Sequence, residues 1–515
     1  MQRRTGGLVL VACLGVYLAA CATSSGVVST EARSGHASAA TTTIPVVVST
    51  SPTESTSPAD VPATSDAAPT SDTRAPVTPI GDDGIGDALF PALGNPGIDV
   101  EHYDIVLDYD PVRTKISATV HLDVLMTEER AMFSLDSDGP VVSDVTVDGV
   151  QAKFVAAPPE LLITPATKLS SGQRIGVDVS YTLVPGPVPS AAGDEVGWFP
   201  TRGGSYVLNE PEGAHTWIPC DDHPSDQATF RFELTVPSGL TAVANGGLLD
   251  HTSTVTTDTW IWQEDRPMAT YLIQLLTGDY EIVDGVGPNG LPLLSVVLRN
   301  DRDTMQAYLD SIDDQIDYFD DYFGTYPLDR YGIAITDSAP GLAMETMERP
   351  TFSRGDFSNG RLDGGQQKYL SHELAHQWFG NAVSPERWTD IWLNESFAMY
   401  GEWMWLDHVG MQPIDSNAAA GLANREPRST AHPRVGRMFK FNSYEGGAVV
   451  LHALRKTIGD DLFFALLRRW VVDNNGSSRT TEDFVALANE VAGQDLTEFF
   501  STWLYADKLP ATFPV

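Results

Sequence analysis

The sequence predicts an α+β protein in which a β-rich region is followed by a mainly helical region. Between His102 and about residue 236, apolar side chains alternate with polar ones, the period of antiparallel strands with one buried face. After about residue 285 the apolar spacing becomes helical. About 420 residues remain beyond the low-complexity amino-terminal segment, too many for one hydrophobic core. We therefore expect two domains, at residues 95–284 and 285–515.

The amino terminus predicts export. Arg3 and Arg4 precede an apolar run from about Leu8 to Ala20 that is too short to span a bilayer, which is the pattern of a signal peptide over residues 1–20. The run ends in Leu18-Ala19-Ala20-Cys21, which has the form of a bacterial lipobox. We expect cleavage before Cys21 and lipid attachment to its thiol. Ordinary signal-peptide cleavage and an uncleaved anchor are the alternatives.

Residues 21–94 are predicted to form a disordered tether behind the lipid. Residues 22 to 89 contain no aromatic side chain and are dominated by Ser, Thr, Ala and Pro, so this stretch cannot build a core. Glycosylation of the tether is an open alternative to a bare chain. Cys13 would leave with the signal peptide and Cys21 would carry lipid, so Cys220 should be an unpaired, buried thiol.

The β-rich region should contain three strands with one buried face each, because apolar residues occupy every second position in three stretches. Each stretch is bounded by polar or turn-forming residues. The inward residues are Tyr103, Ile105, Leu107 and Tyr109; Ile116, Ala118, Val120, Leu122 and Val124; and Phe230, Phe232, Leu234 and Val236.

The second region should be helical in five places. Apolar residues from Met305 to Phe323 follow helical spacing and stop at Gly324. A second helix should cross residues 372–376. The others are expected from Tyr444 to Ile458, from Thr480, where Thr480-x-x-Asp483 resembles a capping box, and from Leu496 to Ala506.

The run His372-Glu373-Leu374-Ala375-His376, followed after eighteen residues by Glu395, carries the chemistry. Two histidines four positions apart lie on one face of a helix, so their ring nitrogens can converge on one ion. A carboxylate from a second helix completes the three protein ligands of a catalytic zinc site, and the fourth position is left open. We therefore expect His372, His376 and Glu395 to bind one Zn²⁺ per chain, with Glu373 beside it as general base.

The sequence around these residues resembles the aminopeptidase N family of gluzincin zinc metallo-aminopeptidases. The resemblance is found in the segments HELAHQWFGNAV and WTDIWLNESFAMY. The second segment places Glu395 in the Asn-Glu-x-Phe context of that family. The resemblance covers residues 95 to 510. It implies a saddle-like, antiparallel β-rich domain, then a thermolysin-like catalytic domain, in a short two-domain bacterial lipoprotein form without the further carboxyl-terminal domains of larger members.

Two acidic residues are implied to bind the terminal ammonium of a substrate. The run Gly341-Leu342-Ala343-Met344-Glu345-Thr346 resembles the family's G-A-M-E-N motif, which assigns that contact to Glu345 and places Ala343 and Met344 along the substrate. Leu342 and Thr346 depart from the motif. Farther upstream, residues 209–215 are similar to the family's amino-terminal signature, which points to Glu210, with Glu212 as runner-up.

Two other positions are assigned by the same resemblance. The run Ser443-Tyr444-Glu445-Gly446-Gly447 is similar to the family segment whose tyrosine donates to the oxyanion, which assigns that role to Tyr444. His215 stands where family members usually carry arginine.

These residues predict a zinc-dependent aminopeptidase acting on peptides with a free amino terminus. Glu373 would take a proton from the attacking water and pass it to the leaving amine, while Tyr444 would stabilise the oxyanion. Three alternatives stay open: a thermolysin-like endopeptidase, an epoxide hydrolase of the kind found in one branch of the family, and a non-catalytic envelope binding protein on the same fold.

The net charge of −37 limits the partners. It would repel nucleic acid and anionic membranes, so we expect no nucleic-acid binding and membrane attachment only through lipid at Cys21. No obligate protein partner is evident. The expected location is the cell envelope, at the outer face of the cytoplasmic membrane, with secretion as the alternative.

Overall fold

The computed structural model describes residues 84–112 and 115–514. The predicted signal peptide, Cys21 and the tether as far as residue 83 lie outside the described residues. Within the described ranges, no helix has the length and apolar character needed to cross a bilayer.

The β-rich region is built from strands in which every second side chain is buried. In the described part of the chain the strands are β1 Ile98–Asp110, β2 Lys115–Met126, β3 Phe133–Asp136, β4 Val141–Val147, β5 Val150–Gln151, β6 Lys153–Ala157, β7 Glu160–Thr164, β8 Arg174–Leu183, β9 Pro187–Pro189, β10 Glu195–Pro200, β11 Ser205–Leu208, β12 Ala228–Pro237, β13 Thr241–Ala244, β14 Gly247–Ser253, β15 Thr257–Met268 and β16 Leu275–Gly278.

These strands form three sheets. The largest has eight strands in the order β14-β15-β12-β1-β2-β8-β4-β5. A five-stranded sheet has the order β13-β16-β11-β10-β9, and a three-stranded sheet has the order β3-β7-β6. The predicted inward residues of β1, β2 and β12 are buried, as alternation requires. The β-rich character of this region is therefore confirmed.

One pairing differs from the predicted antiparallel arrangement. β1 and β12 run parallel, with Tyr103 opposite Phe230 and Leu107 opposite Leu234. The alternation of apolar and polar residues indicates which face of a strand is buried, but not the direction of the neighbouring strand. β1 and β12 are far apart in the sequence, so their pairing depends on the tertiary fold. The stacked rings of Tyr103 and Phe230, 4.9 Å apart, show that the pair shares one core layer.

The folded body begins earlier than predicted. The tether is predicted to extend to residue 94, yet Phe90 and Leu93 are each only 5% exposed, and the Phe90 ring packs edge-on against Trp388. Asp87 accepts a hydrogen bond from the Trp388 backbone at 2.9 Å. The low-complexity composition ends at Phe90, the first aromatic residue after the signal peptide region, and packing begins just before it.

The second region combines two small sheets with helices. Its described strands are β17 Tyr280–Val286, β18 Pro292–Leu298, β19 Ala334–Thr336, β20 Ala343–Met344, β21 Thr351–Ser353, β22 Val383–Pro385 and β23 Ser477–Arg479. Its described helices are α1 Arg302–Leu309, α2 Ile312–Phe323, α3 Arg354–Phe357, α4 Gly364–His376, α5 Trp392–His408, α6 Ile414–Asn424, α7 Gly447–Ile458, α8 Asp460–Asn474, α9 Thr481–Ala492 and α10 Thr497–Trp503.

The larger sheet of this region has the order β17-β18-β19-β21-β20, and β22 pairs with β23 in a separate two-stranded sheet. β18, β19 and β21 are parallel, and β20 runs antiparallel at the edge. The predicted division at residue 285 falls inside β17, which pairs with β18 along its length. β20 is the strand that carries Ala343 and Met344 and leads directly to Glu345.

Three predicted helices differ in their limits. The stretch from Met305 to Phe323 is broken between α1 and α2, where the Ser311 hydroxyl donates to the Tyr308 carbonyl at 2.7 Å. The predicted helix from Tyr444 starts only at α7, because residues 442–446 form a wider π-helical turn. α10 is shorter at both ends than predicted. The predicted stop at Gly324 and the capping box of Thr480 and Asp483 are confirmed.

His215 lies in a buried group of acids. Its Nδ1 is 2.7 Å from Asp222 Oδ2, and its backbone N–H donates to the same oxygen at 3.0 Å. Burial opposes protonation of His215, but the hydrogen bond to Asp222 and the charges of Asp222, Asp136 and Glu212 outweigh burial and raise the pKa to about 9. The histidine is therefore a cation at neutral pH, as an arginine would be.

This ion pair predicts a pH-dependent stability. The unfolded histidine titrates near pH 6.5 and the folded one near 9, so its stabilisation is complete below about pH 6.5 and is lost as the pH rises through 9. The contribution is at most about 3 kcal/mol. The free energy of unfolding, measured by denaturant titration, should therefore fall over this range. His215→Arg should weaken the fall because guanidinium stays charged, and equal slopes for the two proteins would contradict this role.

Candidate active site

Two packed helices position the predicted metal ligands. α4 begins after Asp363, whose side chain accepts a hydrogen bond from the Gly365 backbone at 3.0 Å. Its last turn carries the two histidines on one face. α5 carries Glu395 in its first turn and approaches α4 closely, because a Cβ on Gly401 would lie 2.7 Å from the Ala375 side chain. A side chain at Gly401 would force the ligand-bearing helices apart.

The predicted ligands converge. The Nε2 atoms of His372 and His376 each lie 3.4 Å from Glu395 Oε2, and one ligand atom from each residue falls within 4.8 Å of the others. Burial opposes ionisation of Glu395, but the hydrogen bonds to His372 and His376 lower its pKa to about 2. Two imidazole nitrogens and one carboxylate, all buried, form the donor set of a catalytic zinc site. The residues therefore fit the metal that the motif predicts.

The two histidines have different surroundings at Nδ1. His376 Nδ1 lies 3.2 Å from the Phe379 carbonyl and can donate a hydrogen bond to it. The lone pair of Nε2 is then free to bind a metal. His372 Nδ1 lies 3.8 Å from Glu402 Oε2. The sequence interpretation missed Glu402, although it follows Glu395 by seven positions and therefore shares its face of α5.

Glu373 is buried beside these ligands. One of its carboxylate oxygens lies within 4.8 Å of ligand atoms of Glu345 and His376. Burial raises its pKa well above the usual value, and Glu345 and Glu395 add to the rise while His376 opposes it. A carboxylate whose pKa is raised is a stronger base, which suits proton transfer.

Glu210 and Glu345 also meet beside the ligands. One oxygen of each lies within 4.8 Å of the other and of Glu395. The Oε1 atoms of Glu210 and Glu345 are shielded from solvent and have no hydrogen-bond partner among the described residues. Burial raises the pKa of both side chains, and the charge of Glu345 adds to the rise at Glu210. Two unpaired acceptors in one enclosed place are a site for a cation.

The backbone that carries each acid is held in place. Asn209, directly before Glu210, donates from Nδ2 to the Ile273 carbonyl at 3.0 Å and accepts from Trp217 Nε1 at 2.9 Å. The Glu345 carbonyl accepts a hydrogen bond from Asn381 Nδ2 at 2.6 Å. The two carboxylates are therefore supported from different domains.

Leu342 and Thr346, which depart from the family motif, both take part in local packing or hydrogen bonding. The Thr346 hydroxyl donates to the Arg349 carbonyl at 2.7 Å and contacts Thr351, so it shapes the turn between β20 and β21. Leu342, Ala343 and Met344 are all buried, and the Leu342 carbonyl accepts from the Ser353 backbone.

The runner-up Glu212 is engaged elsewhere. Its Oε1 accepts hydrogen bonds from the Ser190 hydroxyl at 2.8 Å and the Ala191 backbone at 3.2 Å. It therefore fastens the turn between β9 and β10. Glu210, and not Glu212, is the acid of this segment that lies with Glu345 and Glu395.

Tyr444 reaches the site from the π-helical turn before α7. Its hydroxyl donates to Glu395 Oε1 at 2.9 Å, and its ring stacks on His372 with centroids 6.0 Å apart. The hydroxyl therefore lies beside the ligand set, but its hydrogen bond goes to a ligand carboxylate. The motif alone did not predict that contact, because Tyr444 and Glu395 lie on separate elements.

Comparisons with known proteins agree with this architecture. The model of the Peptidase M1 N-terminal domain matches residues 99–272, and that of the Peptidase family M1 domain matches residues 308–503. An M1 zinc metallopeptidase from Deinococcus radiodurans is similar in structure, with a TM-score of 0.74 and 29% identity over 84% of this chain and 100% of that chain. A mutant of a metallopeptidase from the same organism, bound to a Tyr-Ser-Ala substrate, has the same TM-score at 28% identity, covering 84% of this chain and 99% of that one.

Among curated relatives, Aminopeptidase M1-C of Oryza sativa subsp. japonica is 30% identical over 326 residues, covering 59% of this chain. The aligned part spans 37% of the length of that relative. The solved neighbours are zinc metallopeptidases, which confirms zinc as the predicted metal. Since the chain matches both family domains in order and is similar in fold to a solved member over that member's whole length, it belongs to peptidase family M1.

Proposed function

We propose that this protein is a zinc-dependent aminopeptidase that hydrolyses the first peptide bond of peptides with a free amino terminus. The observation that carries the proposal is the pair of unpartnered, enclosed oxygens on Glu210 and Glu345 beside the zinc ligands. An α-ammonium group donates three hydrogen bonds and would satisfy both acceptors. The name of the relative Aminopeptidase M1-C agrees with this activity.

The same two acids disfavour an endopeptidase. An internal peptide segment would place a neutral amide where Glu210 and Glu345 present two acids, so the cost of burying them would not be offset. A substrate with a free amino terminus satisfies the acids and places its first carbonyl beside the zinc ligands. The Tyr-Ser-Ala substrate of the solved neighbour is a short peptide, as the proposal requires.

The described residues support a hydrolytic sequence. Bound zinc supplies a Lewis acid that polarises the carbonyl and makes water a nucleophile near neutral pH. Glu373 takes the proton of the attacking water and passes it to the departing amine nitrogen, since one of its oxygens lies within 4.8 Å of ligand atoms of both His376 and Glu345. The Tyr444 hydroxyl turns from Glu395 to donate to the oxyanion of the substrate.

Tyr444→Phe should separate catalysis from binding. Loss of a preorganised donor to the oxyanion typically costs about 3 kcal/mol, so we expect kcat to fall about a hundredfold with little change in KM. Zinc content by atomic emission should stay at one per chain. A fall in zinc content with kcat per bound zinc unchanged would instead assign the hydroxyl to holding Glu395.

The proposed activity is tested with matched substrates. We expect the purified, zinc-loaded protein to cleave aminoacyl arylamides but not their N-acetylated counterparts. Cleavage of both sets would support an endopeptidase. Cleavage of neither would favour the non-catalytic binding protein, and cleavage of an epoxide alone would favour the epoxide hydrolase.

We also propose that the enzyme acts in the cell envelope, held at the outer face of the cytoplasmic membrane by lipid on Cys21. The support is the order of signal peptide, lipobox and Ser/Thr/Pro/Ala-rich segment in the sequence. In a bacterial host, the wild-type protein should incorporate a labelled fatty acid and partition into detergent, whereas Cys21→Ser should do neither. An unlabelled protein in the medium that begins at Cys21 would contradict the anchor and support secretion.

A further inference from the structure

A basic loop, defined as residues 425–440, precedes the turn that carries Tyr444. It contains five of the 32 Lys and Arg residues of the chain and one acid, Glu426, in a protein whose net charge is −37. Arg428, Arg434 and Arg437 are exposed, and Lys440 is half-buried. A local concentration of cations in so acidic a protein requires a physical reason.

The basic loop lines a cavity of about 350 Å³. Four cations (Arg428, Arg434, Arg437, Lys440) and two acids face it. Arg437 is paired with Glu426, whereas Arg434 forms no ion pair with a described residue. The cavity therefore has a surplus of positive charge and a cation whose charge is not neutralised by a neighbour.

The loop is held in a defined shape. Asn442 Nδ2 donates to the Arg428 carbonyl at 2.9 Å and to the Glu426 carbonyl at 3.3 Å. Arg425 donates to the Thr430 hydroxyl at 2.7 Å, and the Ser429 backbone donates to Asp507 at 3.1 Å. A loop fixed in this way places its charges without much further loss of entropy on binding.

The cavity lies next to the catalytic tyrosine. Ser443, the residue before Tyr444, lines it, and the Ser443 carbonyl accepts a hydrogen bond from the Ser396 hydroxyl on α5 at 2.6 Å. Burial raises the pKa of Asp194, and the charge of Lys440 opposes that rise; Asp194 lies in the turn between β9 and β10 that Glu212 fastens. The basic loop, itself part of the zinc-binding domain, therefore adjoins the turn that carries Tyr444.

We propose that this cavity binds a carboxylate on the part of the peptide that leaves after hydrolysis. The inference rests on the proposed function. Glu210 and Glu345 take the ammonium end, so the remainder of the peptide extends past the scissile bond. Ser443 lines the cavity and directly precedes Tyr444, whose hydroxyl lies beside the zinc ligands. The carboxylate is either the carboxyl terminus of a short peptide or an acidic side chain, and Arg434 and Lys440 are its cationic partners.

Substrate pairs that differ only in charge test the site. One pair is Leu-Gly-Gly and its carboxyl-terminal amide, and the other is the amidated peptides Leu-Gly-Asp and Leu-Gly-Asn. The wild-type enzyme should show a kcat/KM about tenfold higher for the charged member of at least one pair, the effect of a charge-assisted hydrogen bond. Preference in the first pair alone would identify a terminal carboxylate, and preference in the second alone would identify an acidic side chain.

Variants assign the effect to the basic loop. In the double variant Arg434→Gln, Lys440→Gln, the ratio of kcat/KM for the charged substrate to kcat/KM for its neutral partner should fall to about one. Lys153→Gln removes an exposed cation from β6 and should keep the wild-type ratio. Equal kcat/KM within both pairs for the wild-type enzyme, or a ratio that the double variant leaves intact, would overturn the site. Failure to cleave any unblocked substrate would overturn the proposed function and this site with it.

Discussion

Glu373→Gln should lower kcat by about 10³-fold while leaving one zinc ion per chain, because general bases typically contribute 10² to 10⁴ in rate. The amide has almost the shape of the carboxylate but cannot accept the proton of the attacking water. It leaves His372, His376 and Glu395 in place, which is the converging group that has the two nitrogens and one carboxylate of a catalytic zinc site. Steady-state kinetics and zinc analysis on one preparation check both parts.

A matched control separates this effect from a general loss of charge. Glu490→Gln makes the same replacement of a carboxylate by an amide at an exposed position on α9. This variant should keep wild-type kcat. A Glu373→Gln protein that lacks zinc would show that Glu373 helps to hold the metal. Wild-type turnover with zinc bound would remove it from the mechanism.

Glu395→Ala should remove the metal and, with it, all measurable hydrolysis. The variant keeps two histidine nitrogens but loses the carboxylate that both approach at 3.4 Å, so the site falls below three protein ligands. It also removes the acceptor of the Tyr444 hydroxyl. Zinc content after dialysis should be near zero.

A readout independent of activity supports the same conclusion. A ligand that binds only the folded state raises the unfolding midpoint, so added zinc should raise the Tm of the metal-stripped wild-type protein. The Glu395→Ala protein should show little or no such shift, whereas Glu490→Ala should respond as the wild type does. A full zinc-dependent rise in the Glu395→Ala protein would exclude Glu395 as a ligand.

The metal ligands were predictable because their geometry is local. His372 and His376 are four positions apart on one helix, and this spacing alone brings them onto one face. The closeness of Glu395 depends on helix packing, which the sequence indicates only through the resemblance. The structure adds the physical reason, since Gly401 lets α5 approach Ala375.

Other features depend on contacts between distant segments, which periodicity does not report. The parallel pairing of β1 and β12 joins residues more than a hundred positions apart. The approach of Glu402 to His372 and the hydrogen bond from Tyr444 to Glu395 likewise join separate elements. Composition also misplaced the start of the folded body, because Phe90 packs against Trp388, about three hundred positions away.

The proposed aminopeptidase activity depends on recognition of the substrate's ammonium group by Glu210 and Glu345. The direct measurement compares leucyl arylamide with its des-amino analogue, which lacks the ammonium group but adds no bulk, in the wild type and in Glu345→Gln. We expect the wild-type kcat/KM to be at least about a hundredfold higher for the leucyl substrate, since burying acids without a partner is costly. This ratio should shrink markedly in Glu345→Gln. Equal hydrolysis of the two substrates by the wild-type enzyme would contradict the account.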